Sequence, residues 1–240
     1  MEEKIEGIVL QAIRYGDTSL IVKILTYEYG IQSYIIKGAF NKTSKVRAAL
    51  FQQMSLIKFV HSKRRSDKSL GFIKEVIPDY CFQSIPFVMN KVAITMFMSE
   101  ILAKTLSEPE KNDELYHFVK KMLLWLDLVD DNYANFPLYF TLEVSKHLGF
   151  YPKNNSDKGQ YFDMAEGCFC TQQPLHPYYS NGADCHILGQ LLGLSLPEIC
   201  SLTLSNTDRR NTLDLIIQFM RLHTPSLRSI QSHEILREVL

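Results

Sequence analysis

The chain has 240 residues, of which 46% are apolar, and its 26 basic and 26 acidic side chains leave a formal net charge of zero. It can bury a core without staples. No apolar run approaches the roughly 18 residues that span a bilayer, Glu2, Glu3 and Glu6 stand where an export signal would carry cations, and five cysteines form an odd set without framework spacing, so the reading is a cytoplasmic protein with reduced thiols.

The first eighty residues hold short apolar, β-branched runs: Ile5 to Ile13, Leu20 to Tyr27, Ile31 to Ile36, Leu56 to Val60 and Leu70 to Ile77. Tyr15-Gly16-Asp17 and Glu28-Tyr29-Gly30 supply tight-turn chemistry between the first three. Five short strands in about 80 residues match a small closed or partly closed barrel, in which closure removes exposed edges. The prediction is an α+β protein with a five-stranded OB-fold barrel over residues 1–80 and a helical domain over residues 81–240.

Charge is distributed unevenly between these parts. Residues 1–80 carry 13 basic and eight acidic side chains, whereas residues 81–240 carry 13 and 18. Ten of the cations fall between Lys37 and Lys74, where Asp67 is the single acid. They concentrate in two loops. Lys37, Lys42, Lys45 and Arg47 follow the third strand, together with Gly38, Phe40 and Asn41; Lys63, Arg64, Arg65 and Lys68 join the fourth and fifth strands. A one-sided basic surface suits DNA or RNA, with Tyr34, Phe40 or Phe59 as faces on which bases stack. Tyr34 and Phe59 also sit in strand patterns that assign them to the core. Basic loops are also common as plain solvated surface, and spacing does not bring the two together.

After Pro78 the apolar period lengthens to that of helices. Phe87 to Leu106 reads as a helix closed by Ser107-Glu108-Pro109, Leu115 to Leu128 as an amphipathic second, and Pro137 to Leu148 as a third stopped by Gly149. Residues 151–182 break the pattern with Pro, Gly and Asn and suggest an irregular insertion with a hairpin around Gln160 to Phe169. Helices resume at Ala183 to Leu192, Thr212 to Leu222 and His233 to Leu240, the last with Ser232 as N-cap. No flexible linker separates barrel and helices.

Gly7-Ile8-Val9-Leu10, Arg14 to Val22, Leu25-Thr26, Gly30 and Lys37-Gly38-Ala39 resemble the opening of the RecO family of bacterial recombination mediators. Leu138 to Pro152, ending Leu-Gly-Phe-Tyr-Pro, resembles that family's central helix and following turn, and Leu222-His223 with Ser232 to Leu240 its closing segment. The resemblance implies a protein that binds single- and double-stranded DNA through the OB domain, anneals complementary strands and, with RecR, helps load RecA onto DNA coated by single-strand-binding protein (SSB). It also implies a grip on the acidic, hydrophobic C-terminal tail of SSB in the helical half. There, by charge alone, Lys120, Lys121, Arg209 and Arg210 are the candidates.

One stretch departs from the family pattern. Many RecO proteins carry two Cys-x-x-Cys pairs after the central helix as a zinc site, but here the first pair is replaced by Asn154 to Gln160. Cys168-Phe169-Cys170, His176, Cys185 and His186 remain, and Cys-x-Cys is too tight for the common knuckle. The expectation is no metal and no cofactor, with packing of Phe162, Phe169, Leu175 and Tyr178 in its place.

Catalytic signatures are missing from the sequence: it contains no phosphate-binding Gly-x-x-x-x-Gly-Lys-Ser/Thr, no His-Glu-x-x-His and no Gly-x-Ser-x-Gly. Asp130-Asp131 and Glu108-x-Glu110 lie at helix ends, and His147 suits a dipole contact in its helix's last turn. The reading is a non-enzyme. Two functions stay open: a DNA-binding, strand-annealing mediator, and an OB-fold RNA-binding or protein-interaction module with no repair role.

Overall fold

A computed structural model describes residues 4–41, 46–62, 70–106, 110–155, 159–227 and 229–239. Its first strands are β1 (Lys4–Tyr15), β2 (Ser19–Thr26), β3 (Gly30–Ile36), β4 (Leu56–Ser62) and β5 (Gly71–Pro78), each within two residues of the sequence expectation. They close into a barrel in the order β1-β2-β3-β5-β4, parallel at β3–β5 and antiparallel elsewhere.

Closure depends on the length of β1. Its first residues pair with β4, from Lys4 opposite Val60 to Ile8 opposite Leu56, while Gly7 to Tyr15 pair with β2. A register shift between Val9 and Gln11 bends the strand between these two tasks. Alternation then fills the interior: Val22 and Ile24, Tyr34 and Ile36, and Ile57 and Phe59 point inward, joined by Phe51 from a single 3-10 turn, Ala48–Phe51. This is the OB-type five-stranded barrel expected from the strand spacing.

The chain divides into two compact units, Met1–Leu128 and Val129–Leu240. Helices α1 (Met89–Thr105) and α2 (Asp113–Leu128) belong with the barrel. The Ser99 hydroxyl of α1 donates to the Leu10 carbonyl of β1. Lys23 of β2 donates to the carbonyls of Ala103 (2.5 Å) and Leu106 (3.4 Å), placing a cation at the negative end of α1. The β2–β3 turn also packs on the chain before α2: a Cβ on Gly30, whose φ is +62°, would lie 2.1 Å from the Glu110 carbonyl oxygen.

The second unit contains α3 (Phe136–His147), a three-stranded sheet of β6 (Tyr161–Asp163), β7 (Cys168–Cys170) and β8 (Tyr179–Asn181), then α4 (Ala183–Leu191), α5 (Leu196–Ser201), α6 (Asn206–His223) and α7 (Ser232–Val239). Gly149 ends α3 as expected, with φ +87° and the Phe150 N–H donating to the Ser145 carbonyl. The hairpin appears as β6–β7, with Phe162 opposite Phe169, and β8 extends it on the other side of β6.

Three expectations need correcting. The sequence reading missed α5, although Ser195 and Glu198 form a capping box at its start. It began α6 at Thr212, whereas the helix starts at Asn206, where the Ser205 hydroxyl accepts the Asp208 N–H; the polar first turn carries no apolar period. Ser232 lies inside α7 rather than capping it. The predicted closure of α1 at residues 107–109 lies outside the described residues.

Candidate nucleic-acid interface

The barrel brings the roots of the two basic loops together. Phe72, at the start of β5, pairs with Ile35 near the end of β3 on one side and with Ser62, the last residue of β4, on the other. Exposed Lys37 leaves β3 and holds its ammonium 5.2 Å from the Phe72 ring centroid. The first loop's root therefore neighbours the roots of the second. Farther along, the Asn41 N–H donates to the Gly38 carbonyl, closing a turn that needs the positive φ of Gly38, and the Phe40 N–H reaches the Thr18 carbonyl in the β1–β2 turn. Arg14, near the end of β1, places its guanidinium 5.1 Å from the Phe40 ring centroid and donates to the Asp17 carbonyl. Residues 37–41 thus span from the start of β5 to the β1–β2 turn.

Buried Ala39 and Val46 join the barrel core, and the Ala48 N–H donates to the Ala39 carbonyl, which returns the chain to the barrel and leaves Arg47 exposed before the 3-10 turn. Lys37 and Arg47 are accordingly solvent-facing cations on a fixed base. Lys42, Lys45, Lys63, Arg64, Arg65 and Lys68 lie outside the described residues.

Two of the three proposed stacking aromatics are core residues. Tyr34 and Phe59 are each 1% exposed and meet edge-to-face at 5.1 Å inside the barrel, as their strand phase requires. Phe40 is 46% exposed, and Phe72, which the sequence reading passed over, is 43% exposed. Phase was the missed signal: Phe72 lies between inward-facing Gly71 and Ile73, so a large apolar ring there must point outward. Arg14 was also missed, being quoted only within the stretch that carries the family resemblance.

Several other cations of this unit are already committed. Lys58 and Lys120 form a four-membered cluster with Glu6 and Asp79: Lys58 lies 3.2 Å from Glu6 and 2.7 Å from Asp79, and Lys120 lies 2.9 and 2.8 Å from them. The hydrogen bond from Lys120 pulls the Glu6 carboxyl below its ordinary range. Burial would raise the Asp79 carboxyl, but the two lysines outweigh it and hold it low. Lys120 thus ties α2 to the barrel, while Lys121 on α2 is exposed.

In the second unit, Arg209 and Arg210 do come together, with Arg237, around an apolar pocket floored by Leu138, Leu213 and Leu236 of α3, α6 and α7. Arg209 Nε donates to Asn135 Oδ1 at 2.9 Å, and Asn135 Nδ2 donates in turn to the carbonyls of Ile199 and Leu202. Burial lowers the Arg209 pKa from its ordinary value. Arg210 donates to the Arg237 carbonyl, and Arg237 pairs with Asp214. The Nε atoms of Arg210 and Arg237 are buried without a hydrogen-bond partner among the described residues. Sequence charge found two of these arginines; only the packing of α7 on α6 adds the third.

The insertion differs from expectation in part. Phe162 and Phe169 are buried, their ring centroids 5.1 Å apart, but Leu175 is fully exposed and Tyr178 half exposed, in a connection from Thr171 to Tyr178 that lies mostly at the surface. Two aromatics, not four residues, fill the place assigned to packing. His176 Nε2 lies 3.2 Å from Asp163, and Cys185 is buried with its thiol 3.8 Å from the Gln160 carbonyl, its pKa pushed up to about 11 by burial. Among the described residues no three His, Cys, Asp or Glu side chains gather as a metal-binding group. Among the same residues, no helix is long and apolar enough to cross a membrane.

Comparison with known proteins bears on both units. The family model described as recombination protein O N terminal matches residues 1–80, and that described as recombination protein O C terminal matches residues 87–229. The chain belongs to the RecO family. The DNA repair protein RecO of Phocaeicola vulgatus is 33% identical over 241 residues, covering 100% of this chain and 99% of that protein. The RecO proteins of Bacteroides fragilis and Flavobacterium psychrophilum, at 33% and 34% identity, match over the same shares. The two RecO models meet between β5 and α1, and the N-terminal one ends with the barrel.

Proposed function

We propose that this RecO-family chain is a DNA-binding recombination mediator that anneals complementary single strands and, with RecR, helps load RecA onto SSB-coated DNA. The observation carrying this reading is the adjacency of the two basic loop roots at Lys37, Ser62 and Phe72 on an OB barrel. The site is assigned to Lys37, Lys42, Lys45, Arg47, Lys63, Arg64, Arg65 and Lys68, which neutralise phosphates and release counterions. Annealing on such a surface requires no catalytic group: reducing repulsion between two strands held side by side is sufficient, and the chain works without cofactor or metal. It acts on single- and double-stranded DNA in the bacterial cytoplasm and joins the nucleoid during repair.

The SSB tail is assigned to the pocket among α3, α6 and α7. Its leucine floor suits the apolar end of the tail, and the guanidinium groups of Arg209, Arg210 and Arg237 that line it suit carboxylates. Lys121 is not part of this assignment.

Salt titration tests the reading. Binding to a single-stranded oligonucleotide should weaken steeply with salt, and replacing Lys42, Lys45 and Arg47 by Ala should reduce the log–log slope by about three counterions with folding intact. An absence of micromolar single-stranded DNA binding at low salt would overturn it. A clear preference for RNA of the same sequence would favour the RNA-binding module.

A further inference from the structure

Phe40, in the turn after β3, and Phe72, at the start of β5, are large apolar side chains that the barrel leaves 46% and 43% exposed. Each has a cation over its ring: Arg14 at 5.1 Å from the Phe40 centroid and Lys37 at 5.2 Å from that of Phe72. Neither ring belongs to the barrel's buried cluster, whose aromatics among the described residues are Tyr34, Phe51 and Phe59. Backbone contacts fix both positions, Phe72 by pairing with Ile35 and Ser62, Phe40 through its N–H to Thr18 and the Gly38 turn.

We propose that Phe40 and Phe72 are base-stacking platforms that make this rim select unpaired bases, so that it holds single strands more tightly than duplex of equal charge. This rests on the DNA-binding reading above and adds its selectivity. A ring stacks with any base whose face is free, and a base inside a duplex has already given both faces to its neighbours. The cation beside each ring serves the second half of the nucleotide, because the phosphate attached to a stacked base then lies near a positive charge. Arg14 and Lys37 also hold the rings in place through cation–π contact before the strand arrives, which limits the ordering cost of binding. Two rings flanking one turn describe a path for a strand running between the β1–β2 turn and the start of β5.

The alternative role for each ring is to pin its neighbouring cation on the surface. The two roles separate with three probes of equal length: an oligodeoxythymidylate, the corresponding abasic strand, and a duplex. The wild-type chain should bind the oligodeoxythymidylate more tightly than the abasic strand. Phe40→Ala and Phe72→Ala should each weaken oligodeoxythymidylate binding about 5- to 100-fold while leaving abasic and duplex binding within about twofold, since stacking is lost and the phosphate contacts are not. Phe→Tyr at either position should restore most of the preference and Phe→Leu should not. Equal losses on all three probes, or no loss, would overturn the proposal while the DNA-binding reading stands. Failure of the wild-type chain to bind any of the three would remove that reading, and this inference with it. Unchanged melting temperatures would confirm that the variants fold.

Discussion

The Asp127 carboxylate, in the last turn of α2, accepts the Ser84 backbone N–H at 2.8 Å, and the Ser84 hydroxyl donates to the Asp127 main-chain carbonyl. The same carboxylate accepts the N–H groups of Gln83 and Ile85, and Lys91 Nζ reaches Ser84 Oγ at 2.7 Å. An acid at a helix C-terminus opposes the dipole, so its place must be justified elsewhere. Here it anchors the segment that leads from the barrel into α1.

Asp127→Ala should destabilise the chain by about 3 kcal/mol, because three backbone donors lose a charged acceptor in a nearly sealed site. Asp127→Asn should cost less but remain destabilising, since a neutral amide accepts more weakly. Chemical denaturation of the two variants measures both.

Acid should weaken the fold in a defined direction. Burial would raise the Asp127 carboxyl, yet the Gln83, Ser84 and Ile85 N–H groups hold it below its ordinary value, and Glu6 and Asp79 are also depressed. A depressed carboxyl contributes stability that is fully present above the unfolded pKa, about 4, and is lost as pH falls through the folded value. The melting temperature should therefore be steady from neutral pH to about 5 and fall below about 4. In Lys120→Met the fall should be shallower, because Glu6 and Asp79 lose a lysine that lowers their pKa values. An unchanged acid profile in this variant would contradict the ion cluster's role.

Gly30→Ala should be far worse than Gly16→Ala. Both glycines have φ +62°, which costs a side-chain-bearing residue about 1–2 kcal/mol. Gly16 faces open space, but a Cβ on Gly30 runs into the Glu110 backbone. Paired thermal melts should show a modest loss at Gly16 and at least about 3 kcal/mol at Gly30.

Arg210→Ala should weaken binding of an acidic, hydrophobic tail peptide about tenfold without changing DNA affinity, corresponding to loss of one charge-assisted contact. Isothermal titration with the peptide and with an oligonucleotide would separate the two effects. Arg209→Ala should in addition lower the melting temperature, since Arg209 holds Asn135.

The barrel was legible because parts of its strands alternate and closure leaves little choice of partners: Val22 and Ile24, or Ile57 and Phe59, reveal their face two residues at a time. The interface was legible as composition only. Charge locates Lys37 and Arg47, but the nearness of Lys37 to Phe72 depends on the parallel pairing of β3 with β5, which no local pattern announces. Tyr34 and Phe59 could be sorted from Phe40 by strand phase alone, and Phe72 could have been found in the same way. The arginine pocket was half legible, since Arg209 and Arg210 are adjacent in sequence, whereas Arg237 arrives from a helix 27 residues later than Arg210. Leu175 and Tyr178 misled because apolar residues in an irregular segment have no period to reveal their direction.

The Glu6, Lys58, Asp79 and Lys120 cluster has a practical corollary for work on fragments. Two of its members come from the first and last residues of the strand region, one from β4 and one from α2, so cutting after residue 80 would remove Lys120 and strip α1 from the Leu10 and Lys23 side of the barrel. A piece ending there would present raw apolar surface and a carboxylate pair balanced by one lysine, and should aggregate. A piece ending after Leu128 keeps every one of these contacts, and is the segment on which the proposed DNA binding of the barrel should be tested in isolation.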